Sequence, residues 1–367
     1  MRVGLVCPYS LTIPGGVQNQ VMGLARVLRR RGHEARVLAP CDGPPPAPFV
    51  TSVGNSVLNA ANGSIAPIAP DPAAQFRTIR ALWDERFDVL HLHEPLVPGP
   101  TMTALMLKPA PIVGTFHAAG SQPAYTVAGG LVNWAASRLD VKVAVSRDAL
   151  ALVEPHVRGP WTLLFNGIDG ARFAAAEPWP TEGPTVFFLG RHEPRKGLEV
   201  LLGAVGLLPP DARLWVAGGG EDTPELRRRF PDPRIEFLGR IDDAERDRRM
   251  AGADVFCAPS LGGESFGIIL LEAMAASTPV VAGDIPGYAQ VAAGPAPDGS
   301  VPAEPAAVLV APGDPSALAT AITRVLTDRE AAAELCRRGV ARAALFDLEE
   351  LCDRYLELYD LARRPHA

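Results

Sequence analysis

Short apolar strings alternate with helix-patterned segments along this chain, and the alternation runs twice. In the first half, Val3–Cys7, Glu34–Leu38, Val89–His93, Ile112–Phe116 and Val141–Val145 read as strands, short strings in which apolar residues predominate. Between the first two, Val17, Val21, Leu24 and Leu28 recur at helical spacing over Val17–Arg31, and Gly32 stops that helix. The pattern restarts at Thr185, with strands expected at 185–189, Arg213–Ala217, Ile235–Leu238, Val255–Ala258, Val280–Ala282 and Ala307–Val310. A strand that is apolar on both faces needs helices on both sides, so the sheets are expected to be parallel and doubly wound.

The Pro/Gly-rich stretch from Gly167 to Pro184 separates the two runs and reads as a linker. The expectation is therefore an α/β chain of two Rossmann-like halves facing a cleft, with domains at 1–168 and 169–345. A last helix, Phe346–Arg363, lies within 346–367 and carries Leu348, Leu351, Tyr355, Leu358 and Tyr359. Asp42–Pro72, rich in Pro and Gly, reads as a loop. Ala73–Arg86 reads as an amphipathic helix with Phe76, Ile79 and Trp83 on one face, a stripe that suits a core or a membrane surface equally. Residues 118–137 carry no charge but include Gly, Ser, Gln, Pro and Asn, which favours a loop or interfacial helix over a span. Five cysteines without a Cys-x-x-Cys pair point to a reducing cytoplasmic setting, and a net charge of −6 disfavours nucleic acid as a partner.

The chemistry begins after the strand at 185–189. Arg191, Arg195 and Lys196 follow Gly190 in a loop that feeds a helix running from Leu198 to Leu208. Cations at the carboxyl end of a parallel strand, beside a helix N-terminus, suit a multiply charged anion such as a diphosphate. Further on, Glu264 precedes Ser265, Phe266, Gly267 and Ile268, whose amides are expected in the first turn of a helix, and Glu272 lies deeper in it. Cations for a leaving diphosphate and carboxylates for hydroxyls point to transfer from a nucleotide sugar. No Asp-x-Asp pair is present, so cationic side chains are expected to do the work of a metal, and no cofactor is expected. Gly15-Gly16 lets backbone approach a phosphate, although the pair is a turn as readily as a contact. His117 ends a strand and is expected to touch the transferred sugar. His91 and His93 read as structural or acceptor-site residues, since a His-x-His without further ligands makes a poor metal site.

These strings together resemble the retaining GT-B glycosyltransferases of family 4. The resemblance rests on Val6-Cys7-Pro8-Tyr9-Ser10, Pro14-Gly15-Gly16-Val17-Gln18, the run Asp88–Pro95, Thr115-Phe116-His117, Asn166-Gly167-Ile168-Asp169 and Gly262–Ala276, and extends nearly end to end. It is nearest to the branch that moves mannose from GDP-mannose to phosphatidyl-myo-inositol. The resemblance implies that Gly16, Arg191, Arg195 and Lys196 hold the diphosphate. It also implies that Ile241, Asp242, Asp243 and Arg246 form the base loop. Glu264 to Ile268 would contact diphosphate and sugar, Glu272 the ribose and His117 the sugar. Tyr9, Gln18 and Asn62 match acceptor positions, and the C-terminal helix would return to the first domain. The family's acceptor-phosphate arginine aligns with Pro67. A UDP-sugar donor, another lipid or soluble acceptor, a Rossmann oxidoreductase and a non-enzymatic sugar-binding protein are the alternatives. The oxidoreductase is disfavoured by the missing Gly-x-Gly-x-x-Gly fingerprint. Weak peripheral contact with an anionic membrane on its cytoplasmic face is expected, from Arg77, Arg80 and Arg86 beside the helix stripe.

Overall fold

A computed structural model describes residues 1–61, 64–118 and 129–364. The chain divides into two compact units, one formed by Met1–Gly167 with the segment from Leu348 onward, the other by Ile168–Asp347.

The first unit holds a seven-stranded sheet and a two-stranded one. Its strands are β1 (Arg2–Val6), β2 (Glu34–Ala39), β3 (Val50–Ser52), β4 (Val57–Ala61), β5 (Ser64–Ile68), β6 (Val89–His93), β7 (Ile112–Phe116), β8 (Val141–Ala144) and β9 (Thr162–Leu163). The large sheet has the order β3-β2-β1-β6-β7-β8-β9, and every pairing in it is parallel. Helix Gly16–Arg30 buries Val21, Met22, Leu24, Ala25, Val27 and Leu28 against it. The C-terminal helix Leu348–Ala362 packs into the same core through Leu348, Leu351, Cys352, Tyr355 and Tyr359. Gly23 makes that contact close, since a Cβ there would meet the Leu348 side chain at 2.7 Å. Arg30 and Arg31 pair with Glu349 and Asp353 along the edge of the seam.

One expectation for this unit needs correction. The stretch Asp42–Pro72 contains β3 and the antiparallel hairpin β4–β5, in register Val57 with Ile68 and Leu58 with Pro67. Its Pro and Gly content hides the strands, and Pro67 is tolerated because a two-stranded sheet consists of edges. The helix runs Pro72–Glu85, capped by Asp71, and buries Ala74, Thr78, Ala81 and Leu82. Phe76 and Trp83 do share a face, but they stand 72% and 63% exposed. Ala74, Thr78, Ala81 and Leu82 line the buried side, and helix Pro100–Leu107 packs against this helix, so the aromatic stripe is not needed for the core.

The second unit has strands β10 (Thr185–Leu189), β11 (Arg213–Ala217), β12 (Ile235–Gly239), β13 (Val255–Ala258), β14 (Val280–Gly283) and β15 (Val308–Val310). Their order is β12-β11-β10-β13-β14-β15, all parallel. The order reverses between β10 and β13, and a doubly wound sheet binds ligands outside the carboxyl ends of its strands at such a point. The helix after β10 is shorter than expected, Leu198–Ala204 followed by a 3-10 turn at Val205–Leu207. The expected linker is partly built into this unit: Gly170–Ala174 is helical, and the Trp179 amide donates to the Arg248 carbonyl.

Candidate active site

The loops leaving β10 and β13 meet at the switch point of the second unit. After β10 the chain makes a 3-10 turn at Pro194–Lys196 and enters the helix through Gly197, whose φ of 66° lies in the left-handed region. A Cβ on Gly197 would run into the Pro259 carbonyl, so only glycine lets the two loops close on each other. That closeness brings Glu264 to the cations. Its Oε1 lies 2.7 Å from both Arg195 Nη1 and Lys196 Nζ. Glu193 holds the other side, 2.8 Å from Arg191 Nη1 and 3.0 Å from Arg195 Nε. Three cations thus share two carboxylates, leaving one net positive charge at the strand ends. Burial lowers the Arg191 pKa, with Glu193 opposing the shift. Glu193 escaped sequence reasoning; its signal was a lone acid inside the basic string.

Ser265, Phe266 and Gly267 precede the helix, which begins at Ile268 and ends at Ala275. This corrects the expectation that all of 265–268 lie in its first turn. Gly267, at φ 95°, turns the chain beside Tyr288, and the Phe266 side chain is buried against Phe346. Glu272 is buried on the same helix, and desolvation raises its pKa while Arg246 opposes. Around Arg246 sits an ionic group that the sequence did not disclose. Asp247 bridges Arg246 at 2.9 Å and Arg172 at 2.6 Å, and both guanidiniums lie over the Phe173 ring, at 5.4 and 5.7 Å. Asp243 pairs with Arg172 and Arg246 at 3.3 Å each. Asp242 caps the helix Asp243–Gly252 by accepting from the Glu245 amide, and Ile241 precedes it half-buried.

In the first unit, Gly16 opens an uncapped helix and is exposed. Gln18 Nε2 donates to the Ile13 and Ser10 carbonyls and so braces the loop after β1. Tyr9 forms an antiparallel bridge with Ile68, and the Ser10 amide donates to the Pro67 carbonyl at 2.9 Å. Asn62 lies outside the described residues.

His117 follows β7 and is 6% exposed. Its Nε2 lies 2.9 Å from Nδ1 of His93, and Glu94 accepts from the amides of His117 and Ala118. His91 is saturated, by Tyr359 Oη at 2.8 Å and Thr115 Oγ1 at 2.7 Å. Burial pushes His91 and His117 down to about 3, holds His93 well below the usual histidine range, and lifts Glu94 to about 7. Among the described residues no group of three or more His, Cys, Asp or Glu could hold a metal ion, and no helix is long and apolar enough to cross a membrane.

Two parallel α/β units, with a cationic loop at the switch point of the second, define the GT-B class of glycosyltransferase. Residues 14–172 match the model described as Glycosyltransferase Family 4, and residues 183–328 the model described as Glycosyl transferases group 1. The phosphatidyl-myo-inositol mannosyltransferase of Mycolicibacterium smegmatis is 39% identical over 98% of this chain and 94% of its own length. That of Mycobacterium tuberculosis is 37% identical over 98% and 97%. Among solved structures, Anabaena Alr3699/HepE in complex with UDP and glucose superimposes with a TM-score of 0.76 at 20% identity, covering 98% of this chain and 99% of that one. The chain belongs to the family 4, group 1 glycosyltransferases.

Proposed function

We propose that this chain transfers mannose from GDP-mannose to the inositol ring of phosphatidyl-myo-inositol, with retention and without a metal. The observation that carries the chemistry is the sharing of Glu193 and Glu264 by Arg191, Arg195 and Lys196 at the strand switch point. Fixed cations stabilise the charge that builds on the departing diphosphate. The mannosyl donor and inositol acceptor are supported by near full-length similarity to two proteins named for that transfer.

In this reading the cation loop and the backbone of Ser265–Ile268 take the diphosphate, with the Gly16 amide as a further phosphate donor. Glu264 accepts from sugar hydroxyls, Glu272 from the ribose, and Ile241–Asp243 with Arg246 form the base loop. His117 contacts the sugar, while Tyr9, Gln18 and Asn62 serve the acceptor. Glu264 Oε1 is already engaged by two cations and is a poor nucleophile. Front-face transfer is therefore favoured over double displacement. The bond from the anomeric carbon to phosphate oxygen breaks, the acceptor oxygen bonds to that carbon, and its proton passes to the departing phosphate.

The first unit would rest on the cytoplasmic face of an anionic membrane, a role supported by exposed Phe76 and Trp83 and by exposed Leu131 and Trp134 of helix Gly129–Ala136. A second reading keeps the donor chemistry and changes the acceptor, since Pro67 stands in β5 where the family's phosphate-binding arginine aligns. The test is radiolabelled GDP-mannose supplied with phosphatidylinositol liposomes, beside UDP-sugars and a panel of soluble acceptors. Label in the lipid fraction is expected. Label confined to a soluble product overturns the acceptor, and transfer only from a UDP-sugar overturns the donor.

A further inference from the structure

We propose that His93 is a positioning residue for His117: it donates its Nδ1 proton to His117 Nε2, so that His117 presents a protonated Nδ1 to an oxygen of the transferred sugar. The proposal rests on the glycosyl-transfer reading for the identity of that sugar, but the ring geometry stands apart from it.

Strands β6 and β7 are adjacent and parallel, with His93 opposite Thr115. His117 lies two residues beyond Thr115, on the same face, where the pleat brings its ring over His93. The rings stack at 5.2 Å with the two nitrogens 2.9 Å apart. Both side chains are buried, and desolvation keeps both neutral, with repulsion from His91 and His117 adding to it at His93. One proton therefore lies between two nitrogens, and only two arrangements exist.

If His117 Nε2 donated, the proton on His93 would sit on its Nε2. That atom is buried and has no hydrogen-bond partner among the described residues. A buried N–H without a partner is the rarer and costlier kind of orphan; a bare lone pair is better tolerated. The neighbours offer no relief. His91 stacks on His93 at 4.2 Å but has both nitrogens engaged, by Tyr359 and Thr115. Glu94 turns its carboxylate to the His117 and Ala118 amides. The proton thus belongs on His93 Nδ1.

Glu94 completes the device by holding the backbone. Its φ of 52° is left-handed, an unfavourable conformation for a non-glycine residue, and it is buried. The strain places one carboxylate under two successive amides at the end of β7. His93 then sets the ring and its proton, while Glu94 sets the chain that carries the ring.

Two-bond proton–nitrogen spectra of the 15N-labelled full-length chain near neutral pH read the tautomers directly. His117 is expected with the proton on Nδ1 and a bare Nε2. In His93→Asn the amide nitrogen occupies the Nδ1 position and still donates, so the His117 tautomer and most of kcat should survive. In His93→Gln the amide lies one atom too far, and in His93→Leu the donor is gone. Both should shift the His117 tautomer and lower kcat about 10- to 100-fold, taking the range known for orienting partners of metal-ligating histidines as the scale, with donor KM little changed. A proton on His117 Nε2 in the wild-type chain overturns the proposal. Equal activity in folded Asn, Gln and Leu variants also overturns it. If the tautomer follows these substitutions but no sugar is transferred from any donor, the positioning stands and the transfer reading falls.

Discussion

Lys196 is the sharpest test of the leaving-group clamp. Its Nζ shares Glu264 Oε1 with Arg195 Nη1, each at 2.7 Å. Replacing Lys196 by Ala leaves that carboxylate with Arg195, so no buried charge is orphaned. The ion pair is partly shielded, at 18% and 15% side-chain exposure, and its loss should cost the fold no more than about 1 kcal/mol. Catalysis should suffer far more. Removing one preorganised donor to developing charge costs about 2–4 kcal/mol, or roughly 30- to 1,000-fold in kcat. The assay is steady-state transfer from radiolabelled GDP-mannose, with thermal unfolding as the control for folding and calorimetry for GDP. Glu264→Gln supplies a contrast: it withdraws a competing anion, so GDP should bind more tightly while kcat falls. Wild-type kcat in Lys196→Ala, in a chain that binds GDP normally, would remove Lys196 from the mechanism.

Transfer should persist in excess EDTA; loss with chelator and return with Mg²⁺ or Mn²⁺ would put a metal back into the chemistry. Acid should destabilise the fold, because His91 and His117 are held at about 3 against an unfolded value of about 6.5. The unfolded chain binds protons the folded one refuses, so stability present above pH 6.5 is lost on acidification at about 1.4 kcal/mol per pH unit per histidine. Glu94, raised to about 7, works in the opposite direction and offsets roughly one of them. Urea midpoints should therefore fall from pH 6.5 to 5, and a flat or rising profile contradicts the buried neutral histidines. Phe76→Ser with Trp83→Ser should leave stability within about 1 kcal/mol, because both side chains are exposed. The pair should abolish co-sedimentation with anionic liposomes; undiminished binding would move the membrane face elsewhere.

Sequence alone determined the two parallel α/β runs, the strands that end at the cation loop and at His117, and the approximate ends of the helices Gly16–Arg30, Pro72–Glu85 and Leu348–Ala362. Those features follow from patterns only a few residues long: short, mostly apolar strings, helical spacing and a glycine at a stop. The same locality explains the misses. In Asp42–Pro72 strand residues are diluted by Pro and Gly, so β3 and the β4–β5 hairpin carry no clean period. In the helix at Pro72–Glu85 two faces compete, and only packing chose Ala74, Thr78 and Ala81 for the interior over Phe76 and Trp83. Charge partners were illegible for a different reason. Lys196 meets Glu264 only because β10 and β13 are neighbours at the sheet reversal, and Arg172 meets Arg246 through Asp247 and Asp243. His93 reaches His117, and His91 reaches Tyr359, through sheet register and a C-terminal helix that packs on the first unit. A sequence fixes the chemistry of each side chain locally, whereas the energy of an ion pair or a shared proton depends on distances that only the assembled sheet sets.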